Sequence, residues 1–163
     1  MGFSIKKRKI EEAYEKYADI LYRIALARVQ KDSDAQDIVQ EAFIKYMGYM
    51  FPFKDENHEK AWLIKATVNL SLDTLKKNKV RAHVSLDEAI AKEKEEDLSY
   101  DVFEKLSLLP EKYRVAVTLH YLEGYSVSET ASMLGISLSA AKMRLSRGRE
   151  AFSDILKKED DDV

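Results

Sequence analysis

The sequence contains no cysteine, which excludes disulfide staples and thiolate metal centres. Proline and glycine are sparse, two and five in 163 residues, so long stretches run without a backbone breaker and helix is favoured over sheet. No apolar run approaches the ~18–20 residues that cross a bilayer as a helix. The opening MGFSIKKRKIEE is basic without an apolar core behind it, unlike a signal peptide, so a cytoplasmic protein is expected. Positive charge is not in excess either: 27 Lys and Arg stand against 29 Asp and Glu, a formal net charge of −2. The whole-chain field therefore gives no general attraction to nucleic acid. His58, His83 and His120 fall in separate segments without ligand spacing, so neither a metal nor a cofactor is expected.

What is present is helical periodicity. Ile10, Ala13, Tyr14, Tyr17, Leu21, Ile24 and Ala25 recur at three- and four-residue steps and form one apolar stripe. A second pattern opens at SDAQ, where Ser33 is placed to cap and Gln36 to close a box behind it. Its stripe is Ala35, Ile38, Val39, Ala42, Phe43 and Tyr46, and Gly48 marks its end. After the aromatic and polar loop YMFPFKDENHE, a third pattern, KAWLIKATVNLSLDTLKKNK, packs through Ala61, Leu63, Ile64, Val68, Leu72 and Leu75. The following stretch, KVRAHVSLDEAIAKEKEED, is highly charged and weakly amphipathic, and reads as a linker. Beyond it, LSYDVFEKLSLL is a short helix, Pro110 suits the first turn of the next, and Gly124 ends that one before two more follow. The expected fold is all-α: two small helical domains joined by a charged linker, the second a four-helix domain with a helix-turn-helix. The boundaries are 1–79 for the first domain, 80–98 for the linker, and 99–163 for the second domain with its acidic tail.

The helix-turn-helix is read from SVSETASMLGISLSAAKMRLSRGREAF. Ser126 and Glu129 form a capping box, Ala131 stands where crossing helices need a small side chain, and Gly135 permits the positive φ of a tight turn. Ser137 caps the second helix. At roughly 100° per residue, Leu138, Ala141, Leu145, Gly148, Phe152 and Ile155 gather inward. Ser139, Ala140, Met143, Ser146 and Arg147 face out, with Lys142 and Arg144 flanking them. Small and polar side chains toward base edges with cations at the margin is the layout of a DNA-reading helix. Thr130 and Ala141 stand where larger aliphatics often pack.

Two faces in the first half carry chemistry. Asp34, Asp37 and Glu41 fall along one side of the second helix, either as a solvated acidic face or as a docking surface for a basic partner. Trp62, Lys65, Ala66 and Asn69 share a face of the third, beside the aromatic loop. Aromatics among cations and amides suit unstacked bases, and Trp62 as plain core with Asn69 at the surface is the competing reading. LKKNKVRAH, with Lys76 and Lys77, fits phosphates or solvent equally.

DAQDIVQEAF, AWLIKATVNLSLDTLKK and LPEKYRVAVTLHYLEGYSVSETASMLGISLSAAKMRLSRGREAF, in this order and spacing, resemble an extracytoplasmic-function (ECF) sigma factor of the sigma-70 family over nearly all of residues 10–157. The resemblance implies a promoter-specific initiation factor, not an enzyme, with core RNA polymerase and promoter DNA as partners. It implies that Asp37, Gln40 and Glu41 bind the clamp coiled coil of polymerase. It implies that Phe51 to Asn69 melts the minus-ten element, through Phe51, Trp62, Lys65 and Asn69, with Lys76 and Lys77 on the backbone. It implies that Ser139, Ala140, Lys142, Met143, Arg144 and Arg147 read the minus-thirty-five element, that the linker threads through polymerase, and that an anti-sigma factor sequesters the protein. Polymerase supplies most of the grip on duplex in such a complex, which accommodates the slightly acidic balance. The chain departs from the family's common pattern at Ala140-Ala141, where Thr-Val is usual, and at Gly148, where Ala is usual. The competing functions are a stand-alone helix-turn-helix regulator whose first domain senses a ligand or dimerises, and a helical adaptor without nucleic acid. No nucleophile–base pairing supports an enzyme.

Overall fold

The computed structural model describes residues 2–49, 52–81 and 98–162, and every regular element among them is helical. The chain divides into two compact units, Met1–Asp87 and Glu88–Val163. Among the described residues no helix is long and apolar enough to cross a membrane.

The first unit packs three helices against one another: α1 (Gly2–Val29), α2 (Asp32–Gly48) and α3 (Glu56–Arg81). The apolar stripes meet in a core of Leu21, Ile24, Ile38, Leu63, Ile64 and Val68, each almost wholly buried. Burial of each such side chain contributes about 1.5–3 kcal/mol. Tyr17 is buried as its stripe predicts. Tyr14 stays half exposed, its ring centroid 5.1 Å from that of Phe43. Helix α1 ends where Gln30 turns left-handed at φ 54°, its N–H donating to the Leu26 carbonyl at 2.9 Å. The buried Arg28 ties α1 to α3 by donating from Nη1 to the Val68 carbonyl at 3.2 Å.

Several expectations are corrected here. Helix α2 begins at Asp32 rather than after Ser33, and no side chain caps it. The Tyr22 hydroxyl of α1 donates to Asp32 Oδ1, and Gln36 Nε2 donates to Asp32 Oδ2 at 3.0 Å. A contact from ten residues back thus draws Asp32 into the helix start and leaves Ser33 exposed inside the first turn. Helix α3 starts at Glu56, earlier than the apolar pattern, and extends to Arg81. Leu72 is 36% exposed, and the buried positions on that turn belong to Leu70 and Ser71. The hydroxyls of Thr67 and Ser71 reach interior sites by donating to the carbonyls of Leu63 (2.9 Å) and Val68 (2.8 Å), which satisfies them inside the core.

The second unit holds α4 (Leu98–Ser107), α5 (Glu111–Val117), which runs on into a π-helical turn (Thr118–Leu122), α6 (Val127–Leu134) and α7 (Leu138–Asp161). Leu106, Leu109 and Val117 form a core with Val102, Ala151, Phe152 and Ile155 against it. Buried Arg114 donates from Nη1 to the Leu109 carbonyl at 2.8 Å, satisfying a backbone acceptor just past the end of α4. Lys105 bridges Asp101 of α4 (2.8 Å) and Glu159 of α7 (3.0 Å), and those two carboxylates raise its pKa. The π turn closes with Gly124 at φ 78°. Residues 82–97, most of the proposed linker, lie outside the described residues.

Candidate nucleic-acid and partner interfaces

The helix-turn-helix is built by local hydrogen bonds. Glu129 N–H donates to Ser126 Oγ at 3.0 Å and Ser126 N–H donates to Glu129 Oε1 at 3.1 Å, a complete capping box. Gly135 takes φ 66° at the C-terminus of α6, and Ala140 N–H donates to Ser137 Oγ at 3.1 Å to cap α7. Ala131, Ala141, Leu145 and Gly148 are buried, as the periodicity requires. Leu138 is not: it is 47% exposed at the first position of α7, where the helix start projects past the core. Ser139, Lys142, Met143, Ser146, Arg147 and Arg149 are exposed, and Ala140 and Arg144 are partly so. Side chains at steps of three and four from Ser139 to Arg147 thus present an accessible face, about 12 Å long at 1.5 Å per residue.

On α2 the acidic residues separate into two roles. Asp32 is engaged by Tyr22 and Gln36, and Asp34 Oδ2 accepts from Asn78 Nδ2 of α3 at 2.9 Å. These carboxylates hold the three-helix unit together. Asp37, Gln40 and Glu41 are exposed, and Ile44 continues their line at 61% exposure. An acidic stripe ending in an uncovered apolar side chain suits a basic partner with an apolar rim. Among the described residues no group of three or more His, Asp or Glu could hold a metal ion.

The third face centres on rings. Trp62 lies 5.0 Å from Tyr49, 6.0 Å from Phe53 and 6.4 Å from Tyr46. Phe53 stacks on Tyr49 at 4.8 Å and on Tyr46 at 5.8 Å. Trp62 is therefore half-buried in an aromatic cluster rather than free at the surface, which joins the core reading of that side chain to its place beside the loop. Lys65 and Asn69 are exposed one and two turns further along the same face, and Lys76 and Lys77 are exposed near the end of α3. Phe51 lies outside the described residues. The Tyr46 hydroxyl donates to Glu59 Oε1 at 2.8 Å, and burial together with that hydrogen bond holds its pKa well above the ordinary tyrosine range. Lys16 and Glu56, paired at 2.8 Å, line a groove of about 580 Å³ together with Tyr46, Tyr49 and Phe53. Their hydrogen bond raises the lysine pKa and lowers the glutamate pKa.

Sequence reasoning named the loop but not Tyr49 and Phe53, although the aromatic spacing in YMFPF was a readable signal. It gave no sign of the apolar cleft of about 250 Å³ that Tyr121, Leu122 and Phe152 line.

Comparison with known proteins agrees with this geometry. The family described as Sigma-70 region 2 matches residues 13–81, and Sigma-70, region 4 matches residues 99–152. The chain is 32% identical over 143 residues to the RNA polymerase sigma factor SigV of Bacillus subtilis, covering 85% of this chain and 86% of that one. It is 30% identical over 159 residues to the ECF RNA polymerase sigma factor SigE of Mycolicibacterium smegmatis, covering 91% of this chain and spanning 62% of that relative's length. The sigma factor RpoE of Bartonella quintana, solved with the anti-sigma factor NepR, shares the fold at a TM-score of 0.77 and 23% identity, over 92% of this chain and 98% of that one. The chain belongs to the ECF sigma factors of the sigma-70 family. The all-helical, two-domain fold expected from the sequence is the fold of that family.

Proposed function

We propose that this protein is the promoter-specificity subunit of an RNA polymerase, binding core enzyme and directing initiation at a chosen set of promoters. One observation carries the reading: region 2 and region 4 stand in series on a single chain, at residues 13–81 and 99–152. The first domain, 1–79, docks on the clamp coiled coil through Asp37, Gln40 and Glu41, which are exposed, while Asp32 and Asp34 are engaged by Tyr22, Gln36 and Asn78. The same domain opens the minus-ten element with Phe51, Trp62, Lys65 and Asn69, while Lys76 and Lys77 follow the phosphates. The linker, 80–98, passes through polymerase. The second domain, 99–163, aligns the complex over the minus-thirty-five element with Ser139, Ala140, Lys142, Met143, Arg144 and Arg147.

The work done is binding work rather than bond chemistry, and no cofactor takes part. Bases captured outside the stack offset an unstacking cost of a few kcal/mol each. With few cations on α7, duplex binding by the protein alone is weak and steeply salt-dependent. The protein acts in the cytoplasm, where polymerase is, and an anti-sigma factor holds it inactive, as one is bound to the Bartonella relative.

The test is reconstituted transcription. Added to core polymerase, the protein yields specific transcripts from a subset of promoters that core alone ignores. A tight footprint on an operator without polymerase would replace this reading with that of a stand-alone regulator. Substituting Arg147 by alanine shifts upstream-element preference by ~1–3 kcal/mol if its contact is to a base edge, whereas a uniform loss across sequences makes it a phosphate contact.

A further inference from the structure

One ring nitrogen of His58 is committed to a backbone partner. The Lys54 amide donates to Nδ1 of His58 at 3.1 Å. A backbone N–H only donates, so Nδ1 must offer its lone pair, and the imidazole is neutral with its proton on Nε2. In return the His58 amide donates to Oδ1 of Asp55 at 2.8 Å. Asp55 stands just before α3 and His58 at its third position. Asp55 thus caps the helix start through the His58 amide, while the His58 ring reaches one residue further back, to the Lys54 amide. The His58 ring also meets Phe53 edge-on at 5.3 Å, and Phe53 is the ring that stacks on Tyr46 and Tyr49 and touches Trp62.

We propose that His58 is a positioning residue for promoter opening: its neutral Nδ1 fixes the turn from Phe53 to Asp55, and with it the ring cluster around Trp62, and protonation releases that turn. This inference rests on the assignment of the segment around Trp62 to promoter melting. An imidazolium donates from both nitrogens, so the Lys54 N–H loses its acceptor and faces another N–H. His58 is only half-buried, so a proton reaches it from solvent. The charged groups of its own stretch are Lys54, Asp55, Glu56, Glu59 and Lys60. From α1, Lys16 reaches this stretch, paired with Glu56, Lys6, Lys9 and Glu12 line the adjoining groove, and Tyr17 interacts with Glu56 and Glu59; from α2 comes the Tyr46 hydroxyl, bonded to Glu59.

Trp62 is the only tryptophan in the chain, so its fluorescence reports on the cluster in the intact protein without polymerase. Between about pH 8 and about pH 5 the wild type shows a transition in that signal. His58→Gln, whose amide oxygen accepts the Lys54 N–H without titrating, stays at the high-pH level. His58→Ala sits near the low-pH level throughout, and the distant His120→Gln keeps the wild-type transition. Persistence of the transition in His58→Gln, or a wild-type signal from His58→Ala at the alkaline end, overturns the proposal. In the holoenzyme, promoter opening followed by permanganate reactivity of thymines falls on acidification roughly 2- to 10-fold further for wild type than for His58→Gln, the worth of one hydrogen bond. Superimposed opening profiles overturn the role in opening. A holoenzyme that opens no promoter at any pH, with the Trp62 transition still dependent on His58, overturns the melting assignment and not the lock.

Discussion

A Cβ built on Gly148 lies 2.7 Å from Cγ2 of Val117 and 3.3 Å from Cβ of Tyr113. Helix α7 can approach α5 this closely only because residue 148 has no side chain. The family's common alanine would collide with a stiff β-branched residue that is itself buried. Gly148→Ala gains about 1 kcal/mol of helix propensity but meets an overpacking penalty of about 1–3 kcal/mol. The expected outcome is a second domain that is less stable by ~1 kcal/mol, read from chemical denaturation. Adding Val117→Ala relieves the collision, so the double variant loses less than the sum of the two single ones.

Thr130 is fully buried, and its Oγ1 finds no hydrogen-bond partner among the described residues. A buried hydroxyl without a partner carries a desolvation penalty of ~1–3 kcal/mol. Thr130→Val keeps the shape and removes that penalty, so the urea midpoint of the second domain rises, corresponding to about 1 kcal/mol. A fall in the midpoint would mean that the hydroxyl is satisfied by water.

Tyr22 and Tyr46 contribute to the alkaline limit of the first domain. Burial first, then the hydrogen bond to Asp32, pushes Tyr22 up to about 12, and burial with the Glu59 bond raises Tyr46 as well. Both hydroxyls keep their protons in the folded state at a pH where an unfolded chain, titrating near about 10, has lost them. Their contribution is therefore complete below about pH 10 and is lost as the pH climbs through the folded values. Urea midpoints measured from about pH 9 upward should fall for the wild type. In Tyr22→Phe/Tyr46→Phe the starting midpoint is lower and the alkaline decline shallower. Parallel declines would contradict this account.

The parts that the sequence made legible are those whose cause is local. The Ser126–Glu129 box, the Gly135 turn and the Ser137 cap each depend on residues within three positions, and each stands in the structure as the spacing implied. The core stripes of α1 and α2 were legible because burial follows helical period. Contacts set by tertiary geometry were not legible. Ser33 looks like a cap until Tyr22 engages Asp32. Leu138 and Leu72 look inward until the helices around them leave those turns uncovered. Asp55 caps α3 through the His58 amide while the His58 ring takes the Lys54 amide, a pairing that a search for Glu or Gln passes by. The exposed residues Asp37, Gln40 and Glu41 could not be told from Asp34 by spacing alone, since only the fold shows Asp34 tied to Asn78.

That separation gives the most direct test of the central claim, that the first domain grips polymerase through the exposed part of α2. The measurement is the affinity of the full-length protein for core polymerase, with thermal stability recorded on the same samples. The wild type binds, and Gln40→Ala/Glu41→Ala binds at least about tenfold more weakly, a loss of about 1.4 kcal/mol, with its melting temperature unchanged. Asp34→Ala instead loses stability, by about 0.5–1.5 kcal/mol for the Asn78 bond. Unchanged affinity in Gln40→Ala/Glu41→Ala, or no binding by the wild type at all, would contradict the account.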